Sequence, residues 1–163
     1  RRSSDLGEHE STSLVLNFLS EFDFKILPSG PILDLGTGSG ILAIALAKLL
    51  PDAEIIALDI DPHAIEVAKA NSVINSVDNI AFSTGELHMQ NQKYSLIVAN
   101  LTADIHLDLM QTYKSKLISG GYLIVSGIIE RRAAEVKAIF MQNDFALISE
   151  KNENDWLSII FHI

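Results

Sequence analysis

Residues 31–50 read PILDLGTGSGILAIALAKLL, a short apolar run followed by alternate glycines and then a longer apolar stretch. The pattern predicts a buried strand, a tight turn at Gly36, Gly38 and Gly40, and a helix. Glycine has no Cβ atom, so the backbone of such a turn can approach a ligand, and the following helix directs its free N–H groups there. In open α/β sheets, ligands bind beyond the carboxyl ends of the strands. We therefore expect a ligand site at this turn.

Apolar runs alternate with amphipathic stretches along the whole chain. This alternation predicts parallel strands joined by helical crossovers, which is an open α/β sheet. After Asp144, two apolar segments flank the polar sequence KNEND with no helix between them, which predicts a terminal antiparallel hairpin. The strands are predicted near residues 31–35, 54–59, 79–83, 94–99 and 121–126, and the helices near residues 11–22, 40–50, 62–75, 103–117 and 130–142.

Composition limits the class of protein. The 163 residues, 48% of them hydrophobic, suffice for one domain over residues 1–163. No apolar run reaches the roughly 18 residues that a membrane span needs. Cysteine is absent, which excludes disulfides, and the charged start is unlike a signal peptide, so we expect a soluble, cytoplasmic protein without membrane contact. The chain has no initiator methionine, so we expect the natural protein to be longer.

The chain is acidic, with a net charge of −9. This balance disfavours the basic surface that a phosphate backbone requires, so direct nucleic-acid binding is not expected. A basic partner suits the charge better. The charge also fits a simpler role, which is to keep the protein in solution.

The spacing of the glycines distinguishes between ligands. Dinucleotide-binding turns follow GxGxxG, but Ile41 stands where the third glycine would be, and the lysine of a phosphate-binding loop is missing. Asp34, two residues before the first glycine, would repel a pyrophosphate and suits a cation. Asp59 closes the next predicted strand, where a carboxylate can accept hydrogen bonds from both hydroxyls of a ribose. The turn therefore predicts a positively charged ligand that carries a ribose.

The motifs LDLGTGSG and LDIDP resemble those of S-adenosylmethionine-dependent methyltransferases with a Rossmann-like fold. The resemblance covers nearly the whole chain. It implies a three-layer α/β sandwich whose seven-stranded, mostly parallel sheet ends in an antiparallel hairpin, and it implies S-adenosylmethionine as the cofactor. It places Asp34 and the Gly36 to Gly40 backbone against the methionine part of the cofactor, Asp59 on the ribose, and Glu86 and Leu87 near the adenine. The positions carried over from these motifs are Asp34, Gly36, Thr37, Gly38, Gly40, Asp59, Ile60, Glu86, Leu87 and Asn100.

Asn100 closes the fourth predicted strand in the motif VANLTADI. Many members of the family carry an asparagine or aspartate here that touches both the cofactor and the incoming nucleophile, so Asn100 is the candidate catalytic residue. A neutral amide suits methylation of nitrogen, because its carbonyl can accept an N–H bond and orient the lone pair. The alternative role is a cap for the helix that follows. The motif lacks the Asn-Pro-Pro sequence typical of nucleobase methylation, and aromatic residues make up only 7% of the chain.

The sequence of the first predicted helix narrows the resemblance to one family of these methyltransferases. GEHESTSLVLNFL, together with the blocks already quoted and LIVSGIIERRAAEV, is similar to the family that methylates ribosomal protein L11. In that family a glycine-rich stretch covers the cofactor. Gly7, His9, Glu10 and Thr12 match it, whereas Ser4-Asp5-Leu6 does not. The resemblance implies that Thr12 contacts the cofactor through its hydroxyl or caps the helix.

The family resemblance predicts methyl transfer to an amino group of a protein, a lysine or the α-amine of a ribosomal protein. Two alternatives remain, which are N-methylation of a small molecule or another protein, and an inactive cofactor-binding module. Family members also carry an N-terminal domain that recognises the substrate, and no such domain precedes residue 1 here. Either that domain has been lost from this chain, or the chain is a single-domain relative. Residues 1–10 are expected to form a mobile start.

No residue stands out as a dedicated base or metal ligand. The histidines show no metal-ligand spacing, so no metal is expected. Asp104, His106 and Asp108 lie close in sequence, but Asp104 and Asp108 share one helix face one turn apart, which predicts a solvated face. Residues at four-residue spacing, Ile105, Leu109, Tyr113 and Leu117, are predicted to form the buried stripe of the same helix.

Overall fold

The computed structural model describes the backbone of residues 3–163 and the side chains of residues 8–163, and in this part of the chain seven strands form one sheet between two layers of helices. The strands are β1 (Ile32–Leu35), β2 (Ile55–Asp59), β3 (Ile80–Thr84), β4 (Tyr94–Asn100), β5 (Leu117–Ile129), β6 (Ala146–Glu153) and β7 (Trp156–His162). The helices are α1 (Ser3–Glu21), α2 (Ile41–Leu49), α3 (Pro62–Ile74), α4 (Ala103–Lys116) and α5 (Ala133–Gln142).

The sheet has the order β3-β2-β1-β4-β5-β7-β6. Strands β1 to β5 pair in parallel, whereas β7 pairs antiparallel with both β5 and β6. The predicted fold class is confirmed, including the terminal hairpin. Because β1 lies between β2 and β4, the chain reverses its direction of winding there, and the carboxyl ends of these strands meet at the crevice where such sheets bind ligands.

Strand β1 is buried on both faces, as expected for a central parallel strand. Leu33 and Leu35 pack into the core that β4 and β5 share with α4 and α5, whereas Ile32 packs into the core shared with α1 and α2. The alternation of side chains along the strand therefore supplies both layers. These two cores fix the sheet edge at which the glycine turn emerges.

The predicted start of the first helix is corrected. The first helix was predicted to begin near residue 11 but begins at Ser3, so residues 3–10 of the predicted mobile start belong to it. Residues 1–2 lie outside the described residues. The side chains of residues 3–7 also lie outside them, and these include the Ser4-Asp5-Leu6 and Gly7 positions. None of the helices in the described part of the chain is long and apolar enough to cross a membrane.

The buried stripe of α4 differs from the predicted one. Ala103, His106, Met110 and Tyr113 are buried, whereas Ile105 is 42% exposed. A strict four-residue spacing advances about 40° around a helix at each step, so it leaves the buried face, while alternating steps of three and four stay on it. The prediction of a solvated face holds for Asp104 and Asp108, whereas His106, between them in sequence, is fully buried.

Candidate functional site

The glycine turn is fastened to the end of β2. The N–H groups of Gly36 and Thr37 both donate to the Leu58 carbonyl, at 2.8 and 3.1 Å. Gly36 has a φ of +68°, and a Cβ atom there would lie 2.8 Å from the Leu101 side chain, so only glycine fits. The turn thus brings its backbone close to the segment that follows β4.

Asp34 holds the turn from behind. Its Oδ2 accepts hydrogen bonds from the Thr37 hydroxyl at 2.7 Å and from the Ala43 N–H in the first turn of α2 at 3.1 Å. Burial raises the pKa of this carboxyl to about 7, against the lowering effect of these two hydrogen bonds, and nearby Asp59 raises it further. A cation bound beside the turn would favour the ionised form of Asp34.

Asp59 ends β2 with its side chain half-buried. Its Oδ2 accepts the N–H of Gly38 at 2.9 Å, and its Oδ1 accepts the N–H of Asp61 at 3.0 Å. A carboxylate oxygen has two acceptor sites, so each oxygen retains capacity for a further donor. The carboxylate is therefore oriented by the backbone and still able to accept hydrogen bonds from a ligand.

A cavity of about 510 Å³ opens beside the turn, which we call the glycine-turn cavity. Six residues assigned from the motifs line it, among them residues on both sides of the sheet crevice. Sequence reasoning missed seven others, because most of them are ordinary apolar or loop residues. The six are Gly36, Asp59, Ile60, Glu86, Leu87 and Asn100, and the seven are Glu8, Leu35, Gly85, His88, Leu101, Ile105 and Leu109.

The other motif positions support the wall instead of forming it. Asp34 and Thr37 are buried behind the turn, and Gly38 orients Asp59 through its N–H. Gly40 precedes α2, and a Cβ atom there would lie 2.9 Å from the Cβ of Ala68, so the glycine permits close packing of α3.

Asn100 joins the end of β4 to the first helix. Its Nδ2 donates to the Thr12 hydroxyl at 3.2 Å. Thr12 lies inside α1, so its predicted role as a helix cap is wrong, and α4 is preceded by Thr102 instead of Asn100. Gly127 lies against Asn100 from β5, where a Cβ atom would be 3.0 Å from Oδ1 of Asn100 and 2.5 Å from the Leu101 carbonyl oxygen. Sequence reasoning missed Gly127, although a glycine at the end of an apolar strand was a usable signal.

A second cavity of about 320 Å³ adjoins the first, and we call it the Trp156 cavity. Asn100 lines both cavities, together with Glu8, Leu101 and Ile105. The remaining lining residues are Ser11, Thr102, Gly127 and Trp156. No local sequence signal pointed to Trp156, because it reaches the site from the start of β7.

His106 lies in the core near the Asn100 segment and makes two hydrogen bonds there. Its Nε2 lies 2.8 Å from the Ser126 carbonyl, which can only accept, so this nitrogen carries the proton, and Nδ1 accepts from the Tyr113 hydroxyl at 3.0 Å. Burial lowers the pKa of His106 to about 4, although the backbone carbonyls of Ser126 and Leu101 oppose the shift. The neutral ring therefore serves as a fixed hydrogen-bond bridge between α4 and β5.

Within the described residues, no three His, Asp or Glu side chains lie together in an arrangement that could hold a metal ion. The site offers carboxylates, an amide and backbone N–H groups. These groups accept and donate hydrogen bonds around a cavity with mainly apolar walls.

Known proteins resemble this chain over most of its length. A sequence model of the family described as ribosomal protein L11 methyltransferase matches residues 6–163. The protein of that name from Campylobacter concisus is 38% identical over 156 residues, which are 95% of this chain and 53% of that protein. The one from Carboxydothermus hydrogenoformans is 39% identical over 156 residues, or 94% of this chain and 50% of that protein. The chain thus spans about half the length of the curated relatives it matches.

Solved structures agree with the fold. A crystal structure of the ribosomal protein L11 methylase from Lactobacillus delbrueckii subsp. bulgaricus superposes with a TM-score of 0.85 at 32% identity, covering 94% of this chain and 78% of that one. Magnesium protoporphyrin IX methyltransferase from Synechocystis, solved with bound S-adenosylmethionine, reaches a TM-score of 0.73 at 20% identity, covering 96% and 79%. This second likeness shows the shared fold alone.

Proposed function

The chain belongs to the ribosomal protein L11 methyltransferase family, and from this membership we propose that it transfers a methyl group from S-adenosylmethionine to an amino group of a ribosomal protein. The observation that carries the proposal is the position of Asn100, which lines both the glycine-turn cavity and the Trp156 cavity. We further propose that residues 1–163 form one catalytic domain, that this domain works in the cytoplasm, and that its partner is a protein and not a nucleic acid.

The glycine-turn cavity fits S-adenosylmethionine in its chemistry. Gly36 presents backbone without a Cβ atom, and the oriented Asp59 carboxylate has free acceptor capacity for two ribose hydroxyls. Glu86 and Leu87 line the same cavity and would border the adenine. Asp34, together with Asp59, makes the region around the turn acidic, which favours a cationic ligand over a pyrophosphate.

The bound cofactor would supply a methyl group activated by its positively charged sulfur. The residues of this chain then orient the acceptor and exclude water. The Asn100 carbonyl oxygen would accept an N–H of the amine and direct the nitrogen lone pair, while its Nδ2 remains bonded to Thr12. Such alignment of two reactants can lower a barrier by roughly 7–11 kcal/mol.

A lysine acceptor must lose its proton before it reacts. For a pKa of about 10.4, deprotonation at pH 7 costs roughly 4–5 kcal/mol. Leu101 and Ile105 present apolar surface beside Asn100, and such surroundings disfavour the ammonium form. The apolar walls therefore reduce this cost without a dedicated base.

Thermal unfolding with added ligand tests the proposal. At one hundred times its dissociation constant, a ligand that binds only the folded chain stabilises it by roughly 2.7 kcal/mol. For a domain of this size we expect the melting temperature to rise by roughly 5–10 °C with S-adenosylmethionine or S-adenosylhomocysteine. NAD should produce no shift. A shift with NAD and none with S-adenosylhomocysteine would overturn the assignment of the cofactor.

A further inference from the structure

The carbonyl of Ser126, a fully buried residue of β5, accepts hydrogen bonds from two other segments of the chain. Leu101, the residue after β4, donates its N–H at 3.1 Å, and His106 of α4 donates its Nε2–H at 2.8 Å. A carbonyl oxygen has two acceptor sites, so both are filled. Asn100 directly precedes Leu101 and pairs in register with Ser126. The direction of this carbonyl therefore fixes the end of β4, where Asn100 lies.

Tyr113 fixes the tautomer of the His106 ring. Its hydroxyl donates to Nδ1 at 3.0 Å, and burial raises the pKa of Tyr113, so this donor keeps its proton. A ring with its proton on Nδ1 would present a bare Nε2 to the Ser126 carbonyl, and two acceptors cannot bond each other. The tyrosine therefore holds the buried ring in the form that donates to Ser126.

We propose that His106 is a positioning residue for Asn100, and that it acts through the Ser126 carbonyl and the backbone of Leu101. The ring is fully buried, whereas the neighbouring Ile105 lines both cavities, so the ring acts on the site through the backbone. It holds the end of β4 where the Asn100 side chain faces both cavities. The proposal rests on the proposed function, because that function gives the orientation of Asn100 a consequence for turnover.

Close packing makes the end of β4 sensitive to this support. A Cβ atom on Gly127 would lie 2.5 Å from the Leu101 carbonyl oxygen and 3.0 Å from Oδ1 of Asn100. The Leu101 carbonyl also opposes the lowering of the His106 pKa, which places this carbonyl beside the ring. Loss of the ring's hydrogen bonds should therefore displace the Asn100 segment, and a displacement of about 1 Å in an active-site group can cost about 100-fold in rate.

Ser126 also holds the helix that carries the partner of Asn100. The Ser126 hydroxyl donates to the Ser11 carbonyl at 3.0 Å. Thr12, the next residue of α1, accepts from Nδ2 of Asn100 at 3.2 Å. Ser126 is thus bonded beside each partner of the Asn100–Thr12 bond, on one side through its carbonyl and on the other through its hydroxyl. Loss of the His106 bond should reach the Asn100 amide by both routes.

Three variants test this role in methyl-transfer assays with S-adenosylmethionine and purified ribosomal protein L11. His106→Phe keeps an aromatic ring without either hydrogen bond, and kcat should fall about 10-fold. His106→Gln keeps an N–H donor for Ser126 and an oxygen for Tyr113, so kcat should return to within about 3-fold of wild type. Val136→Ala loosens the same core from α5 and should leave kcat unchanged. In all three, KM for the acceptor and the dissociation constant of S-adenosylhomocysteine should stay within about 2-fold of wild type.

Amide hydrogen exchange, followed by NMR, tests the support of β4 without any substrate. The Leu101 N–H should exchange at least about 10-fold faster in His106→Phe, relative to the N–H of Ile97 in the middle of the same strand. The ratio of the two rates removes the effect of a lower global stability. Val136→Ala should leave this ratio unchanged, and nitrogen chemical shifts of the wild-type imidazole should show the proton on Nε2.

Four results would overturn the proposal. They are a normal kcat in His106→Phe, an equal loss of kcat in Val136→Ala or His106→Gln, an unchanged exchange ratio in His106→Phe, and a proton on Nδ1 of the wild-type ring. Failure of the proposed function is a different result, since the wild-type chain would then bind no S-adenosylhomocysteine or leave the ribosomal protein unmethylated. The exchange ratio at Leu101 would still decide whether His106 holds the end of β4.

Discussion

The two cavities are built in different ways. The wall of the glycine-turn cavity is set by hydrogen bonds between residues close in the chain, from Asp34 to Thr37 and Ala43, and from Gly38 to Asp59 across 21 positions. The segments that supply the Trp156 cavity are joined by hydrogen bonds that span 88, 115 and 144 positions, which are Asn100–Thr12, Ser126–Ser11 and Asn154–Glu10. The glycine turn that borders the first cavity is encoded in a short motif, whereas the Trp156 cavity exists only after the whole sheet has formed. Substitutions at the glycine turn should therefore affect cofactor binding, whereas substitutions beside the Trp156 cavity should affect turnover.

Asp59→Ala is expected to have the largest effect, and to act on cofactor binding. The variant loses a carboxylate that orients Gly38 and that would accept two ribose hydroxyls. Two hydrogen bonds to a charged group are worth about 3–6 kcal/mol, so the dissociation constant of S-adenosylhomocysteine should rise at least about 200-fold in calorimetry. Asp52→Ala, which removes an exposed acid before β2, is the control. Equal affinities for the two variants would exclude Asp59 from the cofactor site.

Two buried groups, Asp34 behind the glycine turn and His106 near the Asn100 segment, should make the stability of the protein depend on pH in opposite ways. The pKa of Asp34 is raised to about 7, so it contributes stability below pH 4 that is lost as the pH rises through 7. The pKa of His106 is lowered to about 4, so it contributes stability above pH 6.5 that is lost as the pH falls through 4. The two effects oppose each other between pH 4 and 6.5.

Variants at these two positions should each remove one contribution to the pH dependence of the unfolding free energy, as measured by urea unfolding. Relative to wild type, Asp34→Asn should gain about 4 kcal/mol of unfolding free energy from pH 4 to 7, because the asparagine oxygen keeps both donors and does not ionise. His106→Gln should instead lose about 3 kcal/mol relative to wild type from pH 4 to 6.5. Parallel pH curves for wild type and either variant would show that the group is not perturbed as described.

Asn100→Ala should act on turnover. The residue lies where the cavities meet, so it is expected to orient the acceptor, and kcat should fall about 100-fold, as when one oriented polar group is removed from an active site. Binding of S-adenosylhomocysteine should change much less, because Asp59 and the glycine turn are untouched. Steady-state kinetics and calorimetry on the same preparation measure both. A variant with normal kcat would remove Asn100 from the reaction.

Gly127→Ala gives a smaller effect with a closely matched control. Gly127 and Gly120 share a φ of +82°, so an alanine at either position carries similar backbone strain, but only at Gly127 would the Cβ atom meet Asn100 and Leu101. We expect kcat to fall roughly 10-fold in Gly127→Ala, within the range that a displacement of about 1 Å in an active-site group can cause. Gly120→Ala should keep wild-type kcat and lose less stability, because it carries the backbone strain without the steric clash. Equal kcat values in the two variants would contradict the role of this close approach.

The same difference explains what the sequence could predict. The terminal hairpin, the glycine turn, and the positions of Asp34 and Asp59 follow from short motifs and from the hydrophobic period, because the contacts they make are local. The burial of His106 was missed because it depends on how α4 lies on β5, and a single-helix pattern does not carry that angle. Trp156 and Glu8 could not be found, since only the antiparallel return of β7 and the start of α1 bring them to Asn100.

The most direct test of the proposed reaction is transfer of a labelled methyl group from S-adenosylmethionine to purified ribosomal protein L11, followed by mass spectrometry of its peptides. The account predicts label on lysine side chains or on the α-amine with the wild-type chain, and about 100-fold less in Asn100→Ala. It would be contradicted if the chain bound S-adenosylhomocysteine and left the ribosomal protein unlabelled, while it labelled RNA or a small molecule in a cell extract.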